Sequence, residues 1–168
     1  MARTVWLIGM MGSGKSTVGE GLARRLDIPF YDTDIEIETR IGCSIGELWG
    51  VEGEGAFRDL EASEVARLAG REAVVATGGG VVLRPENVAA MRDSGPVVWL
   101  RTSVEELAAR VGVGDGRPLL AEGSVEERMS AVLDERWALY DTSASIIVET
   151  DGMTVEQVVG EVERWIAS

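Results

Sequence analysis

Short apolar runs alternate along the chain with stretches whose apolar residues recur at helical spacing. The runs are four or five residues long and rich in Val, Ile and aromatic residues: VWLI (5–8), PFYD (29–32), AVVA (73–76), PVVWL (96–100) and SIIVE (145–149). Apolar strands separated by helices predict a parallel sheet that is covered by helices on both faces. We therefore expect an α/β fold.

A repeated pattern marks the starts of the helices. It consists of Ser or Thr followed three residues later by Glu or Gln, and it occurs at Ser44–Glu47, Ser103–Glu106, Ser124–Glu127 and Thr154–Gln157. In such a capping box, the two side chains satisfy backbone N–H groups of the first turn. The first helix carries Val18, Leu22 and Leu26 on one apolar stripe. No repeat or linker interrupts the pattern, so we expect a single domain over residues 1–168.

Composition narrows the possible chemistry. The 168 residues include 29 acidic and 16 basic ones, and the net charge of −13 disfavours nucleic acids and anionic membranes as partners. The chain has no histidine, which excludes a Ser-His-Asp triad and a His-ligated zinc, and its single Cys43 excludes an internal disulfide. Acid-base chemistry would fall to carboxylates. Because no apolar run is long enough for a membrane span or a secretory signal, we expect a cytoplasmic protein.

The segment GMMGSGKST (9–17) lies between the first strand and the first helix. It matches the pattern G-x-x-x-x-G-K-S of a P-loop, in which backbone N–H groups and the helix N-terminus cradle phosphates. Lys15 would reach the terminal phosphates, and the hydroxyl of Ser16 would bind Mg²⁺. The alternative is a plain strand-to-helix turn with an exposed lysine, but such a turn does not require this Lys-Ser placement. The segment predicts an ATP or GTP site.

Two carboxylates follow the second strand. Asp32 and Asp34 lie in YDTD, and side chains two residues apart in an extended segment point to the same face. We expect both in the crevice at the strand ends, where open α/β sheets bind ligands, with roles toward Mg²⁺ and an acceptor hydroxyl. The alternative is that they cap the next helix.

Glycines follow the third strand and interrupt the chain again later. The triplet Gly78, Gly79 and Gly80 either forms a tight turn or lets a small ligand approach bare backbone, and its position at the crevice favours the second. The stretch VGVGDGRPLL (111–120) is irregular. Loops of this composition often close over ligands.

Three arginines are candidates for contacts with anionic groups. Arg58 lies beside the core-facing edge of a helix, and the alternative for it is a surface ion pair with Glu54 or Glu61. Arg117 lies in the glycine-rich stretch and Arg136 in DERWALY. Each alone is more often a solvated charge than a ligand contact.

The motifs GMMGSGKST, FYDTD followed by IE, FR followed by Glu61, GGG, RPLL and R-x-x-LY occur in this order over residues 9–149. In this combination the chain resembles the shikimate kinase family of P-loop enzymes. The resemblance implies a three-layer P-loop NTPase of the nucleoside monophosphate kinase type, with a five-stranded parallel sheet in the order 2-3-1-4-5. It also implies a substrate-binding region at about 32–60 and a mobile lid at about 112–123 within one kinase domain.

The resemblance further implies that the chain phosphorylates the 3-hydroxyl of shikimate with ATP, on the route to chorismate and aromatic amino acids. We expect shikimate and ATP as its partners and a monomer as its assembly. ATP would be bound by Gly12, Ser13, Gly14, Lys15, Ser16, Thr17, Arg110 and Arg117. Shikimate would be bound by Asp34, Arg58, Gly78, Gly79, Gly80 and Arg136.

Specific roles follow from the same resemblance. Lys15, Asp34 and Arg117 would carry the catalysis, and Asp34 is the candidate base. Mg²⁺ would be held by Ser16 directly and by Asp32 through water. The remaining arginines would clamp the substrate carboxylate (Arg58 and Arg136) and flank the adenine (Arg110).

The chain departs from the family pattern in two places. Ala138 stands where the family usually has proline in R-x-P-L-Y, and ETDGMTVEQ lacks the arginine and proline that many members carry after the last strand. We therefore assign no adenine contact after residue 149. Two alternatives stay open: a related small-molecule kinase such as a gluconate kinase, and a non-catalytic nucleotide-binding protein descended from a kinase.

Overall fold

The computed structural model describes residues 3–111 and 123–168, which form five strands and eight α-helices. The strands are β1 (Thr4–Ile8), β2 (Phe30–Asp32), β3 (Ala73–Ala76), β4 (Val97–Arg101) and β5 (Ile146–Glu149). The helices are α1 (Lys15–Leu26), α2 (Thr33–Ile41), α3 (Ile45–Glu52), α4 (Glu54–Leu68), α5 (Pro85–Ser94), α6 (Val104–Val111), α7 (Val125–Ser143) and α8 (Val155–Ala167). Each predicted strand is present, and its ends differ from the prediction by at most one residue.

All five strands are parallel and lie in the order β2-β3-β1-β4-β5, so the predicted sheet order is confirmed. The central strand β1 pairs with β3 on one side and with β4 on the other, and all five of its residues are buried. Helices cover both faces of such a strand, which explains why it reads as an uninterrupted apolar run.

Two layers of helices enclose the sheet. On one face, Val18 and Leu22 of α1 pack with Val158 of α8 against the sheet. The apolar stripe predicted for the first helix is therefore the contact with this face. On the other face, helices α4, α5 and α7 contribute Val65, Met91 and Leu133 to a second core cluster. The predicted three-layer α/β fold is confirmed.

The predicted helices start at capping residues, although both hydrogen bonds of the capping box form at two of the four sites. Ser44 with Glu47 and Thr154 with Gln157 exchange both hydrogen bonds. Ser124 accepts from the N–H of Glu127, as a cap requires. At Ser103 the hydroxyl accepts from the N–H of Glu106, but the N–H of Ser103 donates to Asp151 instead of to the Glu106 side chain.

A third, smaller apolar cluster lies beneath the helices that follow β2. Ile37 of α2, Leu48 of α3 and Phe57 of α4 form its buried centre. These three helices cover most of the range predicted to bind substrate. The predicted lid lies almost entirely in residues 112–122, outside the described part of the chain. Among the described residues, no helix has the length and apolar character needed to cross a membrane.

The turn between α5 and β4 runs directly against the start of the central strand. The N–H of Trp6 donates to the carbonyl of Pro96 at 2.9 Å. A Cβ built on Gly95 would lie 2.1 Å from the carbonyl oxygen of Thr4, which is closer than any real Cβ contact. Thr4 is itself fully buried. No side chain therefore fits at position 95.

We predict that Gly95→Ala destabilises the protein by about 2–3 kcal/mol, because the new methyl group forces the turn away from the start of β1. Gly50→Ala is the matched control: outside its chain neighbours and the backbone of its own helix α3, no atom lies within 4 Å of a Cβ built on Gly50. Alanine there should leave the stability unchanged or raise it by up to about 1 kcal/mol. Denaturant unfolding of both variants measures the difference, and equal stabilities would contradict the prediction.

Candidate active site

The P-loop (residues 9–17) connects the end of β1 to the first turn of α1. Gly12 and Gly14 have φ angles of 82° and 89°, a left-handed conformation that favours glycine. The N–H of Ser13 closes a turn onto the carbonyl of Met10 at 3.2 Å. Because α1 begins directly after Gly14, the unpaired N–H groups of its first turn lie beside the loop. The loop thus has the backbone that phosphate binding requires.

Lys15 folds back across this loop. Its ammonium donates to the carbonyl oxygens of Gly9 and Met10, each at 2.8 Å, and the residue is 8% exposed. The alternative of an exposed lysine beside a plain turn is therefore wrong. The loop carbonyls thus provide acceptors for its charged end.

Asp32 connects the second strand to the P-loop. One carboxylate oxygen accepts a hydrogen bond from the Ser16 hydroxyl at 2.5 Å, while the other accepts from the N–H groups of Asp34 and Ile35 at 3.0 and 3.3 Å. Asp32 is the N-cap of α2 and also lies beside the P-loop. The two alternatives for Asp32, a position in the cleft and a cap on the next helix, are therefore both correct.

The expected geometry of Asp34 is wrong. Asp34 does not continue the strand beside Asp32 but lies in the first turn of α2, because capping by Asp32 starts the helix at Thr33. The helix nevertheless carries its side chain to the same cleft that Asp32 lines. The two carboxylates thus share the cleft without sharing the face of a strand.

Arg58 lies on α4 and is 7% exposed. Its Nη1 donates to Glu61 at 2.8 Å, and its Nε and Nη2 donate to one oxygen of Glu54 at 3.3 and 3.2 Å. The alternative of an ion pair with Glu54 or Glu61 is correct about the partners. It is wrong about the location, because Arg58 and the fully buried Glu61 face the loop after β3 and not the surface. Phe57 and Trp49 flank the guanidinium, with ring centroids 5.0 and 5.7 Å from its carbon.

The glycine loop, Gly78 to Gly80, packs directly against these charged side chains. A Cβ on Gly80 would lie 2.3 Å from Nη2 of Arg58, and one on Gly78 would lie 2.9 Å from Glu61. None of the three glycines has a positive φ angle. Glycine is therefore needed here for close approach, although the chain does turn immediately afterwards, where the N–H of Val81 donates to the carbonyl of Gly78.

Helix α7 closes the other side of the glycine loop. Arg136 is 6% exposed, and its Nη1 lies 3.4 Å from the position that a Cβ would take on Gly79. One helical turn later, the hydroxyl of Tyr140 donates to the carbonyl of Gly79 at 2.5 Å. Burial raises the pKa of Tyr140 to about 12, and the neighbouring Arg136 opposes this shift.

Sequence reasoning assigns no role to Tyr140, nor to Glu61 beyond an ion pair with Arg58. The available signal is spacing, since Tyr140 follows Arg136 by four residues and Glu61 follows Arg58 by three. Residues at these spacings share one face of a helix.

These elements surround one cleft of about 660 Å³. Most of the predicted site residues line it: Gly12, Gly14, Lys15, Ser16, Thr17, Asp32, Asp34, Arg58, Gly78, Gly79, Gly80 and Arg136. Ser13 is buried within the P-loop and does not line the cleft. Arg110 lies outside the lining but donates from the rim to the carbonyl of Gly12 at 3.3 Å. Arg117 lies outside the described residues.

A hard cation fits one part of the cleft. Ser16 and Asp32 place a hydroxyl and a carboxylate oxygen 2.5 Å apart beside the P-loop. Within residues 3–111 and 123–168, no group of three or more Cys, Asp or Glu side chains could hold a metal. A hydroxyl and a carboxylate oxygen are ligands of the kind that Mg²⁺ takes from proteins, alongside phosphate and water.

Comparison with known proteins identifies a family. A family model described as shikimate kinase matches residues 11–167. A shikimate kinase of Chromohalobacter salexigens is 44% identical over 162 residues, which cover 96% of this chain and 90% of that protein. A solved structure of a shikimate kinase from Acinetobacter baumannii in complex with shikimate superposes with a TM-score of 0.94 at 34% identity, covering 99% of this chain and 94% of that one.

The comparison also bears on the gluconate kinase alternative. A gluconokinase from Sinorhizobium meliloti superposes with a TM-score of 0.58 at 20% identity, covering 99% of this chain and 94% of that one. At this identity the likeness extends to the fold alone.

The buried carboxyl of Glu61 predicts a pH dependence of stability. Burial raises its pKa above the ordinary 4.5, and the charge of Arg58 opposes this effect. A group with a raised pKa holds its proton more tightly in the folded state, so its contribution to stability is present at low pH and is lost as the pH rises through the raised pKa. Relative to Glu61→Gln, which cannot ionise, the wild-type free energy of unfolding should fall as the pH rises from 4.5.

Urea unfolding of the two proteins across a pH series measures this difference. Subtracting the two curves removes the titration of carboxyl groups that both proteins share. A difference that is constant, or that grows as the pH rises, would contradict the prediction.

Proposed function

The chain belongs to the shikimate kinase family, and we propose that it transfers the γ-phosphoryl group of ATP to the 3-hydroxyl of shikimate. The products are ADP and shikimate 3-phosphate, on the route to chorismate and aromatic amino acids. One observation carries the proposal: a P-loop and two buried arginines line the same cleft of about 660 Å³. A phosphate donor and a carboxylate-bearing acceptor would therefore meet there.

The donor half of the cleft would bind ATP through the P-loop. Backbone N–H groups from Gly12 to Thr17 would surround the phosphates at the N-terminus of α1. Lys15 now donates to two neutral carbonyls, and phosphate oxygens would be stronger acceptors because they are charged. Arg110 lies at the rim of the P-loop, where it would flank the adenine, and Arg117 would approach the phosphates from the lid at about 112–123.

Ser16 and Asp32 would hold Mg²⁺, with Asp32 acting through water. When bound, the ion would supply positive charge that offsets the negative charge developing during phosphoryl transfer. The hydroxyl of Ser16 now donates to Asp32. On binding the cation, the Ser16 oxygen would direct a lone pair to it. Asp32 would keep its cap on α2 through its other oxygen.

The acceptor half comprises α2, α3, α4, the glycine loop and Arg136, and it includes the range of about 32–60 proposed to bind substrate. Arg58 and Arg136 would hold the shikimate carboxylate, because guanidinium groups bind carboxylates in a bidentate manner. Asp34 would hold the ring hydroxyls and take the proton of the attacking one. Phosphoryl transfer requires mainly positioning and charge neutralisation, so this set suffices without histidine.

Several residues disfavour a non-catalytic paralogue. Lys15, Asp34, Arg58 and Arg136 are all present and all line one cleft, whereas a protein that only binds nucleotide needs no acceptor half. The single kinase domain, the monomeric state and the cytoplasmic location stay predictions.

The function is tested by ADP release from the purified full chain with ATP, Mg²⁺ and either shikimate or gluconate. We expect turnover with shikimate, none with gluconate and none when a chelator removes Mg²⁺. The phosphorylated product, characterised by NMR, should carry its phosphate on O3. Faster turnover with gluconate would favour the related kinase. Binding of both ATP and shikimate without turnover would favour the non-catalytic protein.

Two variants separate the halves of the cleft. Arg58→Ala should raise the KM for shikimate by roughly 100-fold or more, because it removes a charged hydrogen-bond donor to the substrate. Lys15→Ala should lower kcat by a similar factor or more, because Lys15 meets charge that moves in the transition state. Steady-state kinetics with each substrate varied in turn measures both effects. An equal loss of ATP affinity in the two variants would contradict this division.

A further inference from the structure

Tyr140 contacts the glycine loop from outside the cleft. The residue is 0% exposed, and its ring stacks on Trp99 with centroids 5.5 Å apart. Its hydroxyl donates to the carbonyl oxygen of Gly79 at 2.5 Å. Tyr140 does not line the cleft, whereas all three residues of the glycine loop do. Any influence of Tyr140 on a bound ligand therefore passes through this loop or through its neighbour Arg136, which also lines the cleft.

The hydrogen bonds of the glycine loop are asymmetric. All three carbonyls are engaged: those of Gly78 and Gly80 accept from Val81 and Leu83 at 3.2 and 3.0 Å, and that of Gly79 accepts from Tyr140. The N–H of Gly78 donates to Thr33. Within the described ranges, no backbone carbonyl accepts from the N–H groups of Gly79 and Gly80. The carbonyls of the glycine loop are therefore all engaged, whereas the N–H groups of Gly79 and Gly80 are donors left for a ligand in the cleft.

The direction of one of these donors depends on Tyr140. The carbonyl of Gly79 and the N–H of Gly80 belong to the same planar trans peptide and point in opposite directions. Two adjacent glycines allow this peptide to rotate at little steric cost. A rotated peptide would turn its carbonyl toward an anionic ligand and withdraw the N–H. The hydrogen bond from Tyr140 opposes that rotation.

We propose that Tyr140 is a positioning residue for the acceptor substrate: it holds the Gly79–Gly80 peptide so that the N–H of Gly80 stays available to shikimate. The inference rests on the proposed function, since shikimate is the ligand that would use this donor. Helix α7 also carries Arg136, whose Nη1 lies 3.4 Å from the Cβ position of Gly79. One helix therefore orients both a charged and a neutral donor toward the same substrate.

The sharpest test is Tyr140→Phe, which removes the hydroxyl and keeps the stacked ring. The chain has two tyrosines, so Tyr31→Phe is a matched control. Tyr31 lies in β2, and its ring faces the guanidinium of Arg67 at 5.8 Å. We expect Tyr140→Phe to raise the KM for shikimate roughly fivefold to tenfold, the equivalent of one lost hydrogen bond. Saturating shikimate would restore the peptide orientation, so kcat and the KM for ATP should change less than about twofold.

The pH profile distinguishes positioning from proton transfer. With a pKa of about 12, Tyr140 keeps its proton throughout the working range of the assay. The ratio of the two shikimate KM values, variant to wild type, should therefore be the same from about pH 6 to pH 9. A ratio that changes across this range would overturn the positioning role.

The remaining outcomes separate the inference from the proposed function. Wild-type turnover of shikimate with an unchanged KM in Tyr140→Phe would overturn the inference alone. Equal increases in the KM for ATP and for shikimate, or an equal effect in Tyr31→Phe, would also overturn it, because both indicate general destabilisation. Calorimetric titration of shikimate into each variant gives the same comparison without turnover. A wild-type chain that neither binds nor turns over shikimate would overturn the proposed function and this inference together.

Discussion

The contact between the guanidinium of Arg58 and the bare backbone of Gly80 constrains how the buried charges of the acceptor half are arranged. A side chain at position 80 would lie 2.3 Å from Nη2 of Arg58, so the guanidinium can occupy its place beside the loop only because none is there. One turn later, Glu61 approaches Gly78 in the same way. The glycine loop therefore leaves room for the charged ends of Arg58 and Glu61 beside the end of β3.

This close packing makes the charges of the cleft interdependent. Glu61 is fully buried, and such a carboxylate is costly unless it is paired. Arg58 supplies the pairing through Nη1 and is itself held from the other side by the half-exposed Glu54. Removing one partner would leave a buried charge without compensation, so the arrangement favours one geometry over its alternatives. An arginine held in this way loses little freedom when a carboxylate binds to it.

The fold was predictable because its signals are local. Apolar runs, capping residues and the P-loop pattern each lie within a few residues, and the observed strands differ from the predicted ones by at most one residue at either end. The sequence predicted which residues line the cleft but not which of them contact one another. The reason for glycine at position 80 lies 22 residues away at Arg58, and Tyr140 meets Gly79 across 61 residues.

Local rules also failed where two of them competed for the same groups. Alternation along a strand placed Asp34 beside Asp32, but the stronger local preference was for Asp32 to cap a helix. At Ser103, a distant carboxylate on Asp151 took the N–H that the capping box assigns to Glu106. Sequence spacing alone does not say which of two competent partners a backbone group takes.

The double role of Asp32 has a mechanical consequence. A single carboxylate ends β2, caps α2 and accepts the hydroxyl of Ser16. Any movement of α2 relative to the sheet must therefore strain or break the hydrogen bond that reaches the P-loop. While this hydrogen bond is present, one side chain ties the helix that carries Asp34 to the first turn of α1.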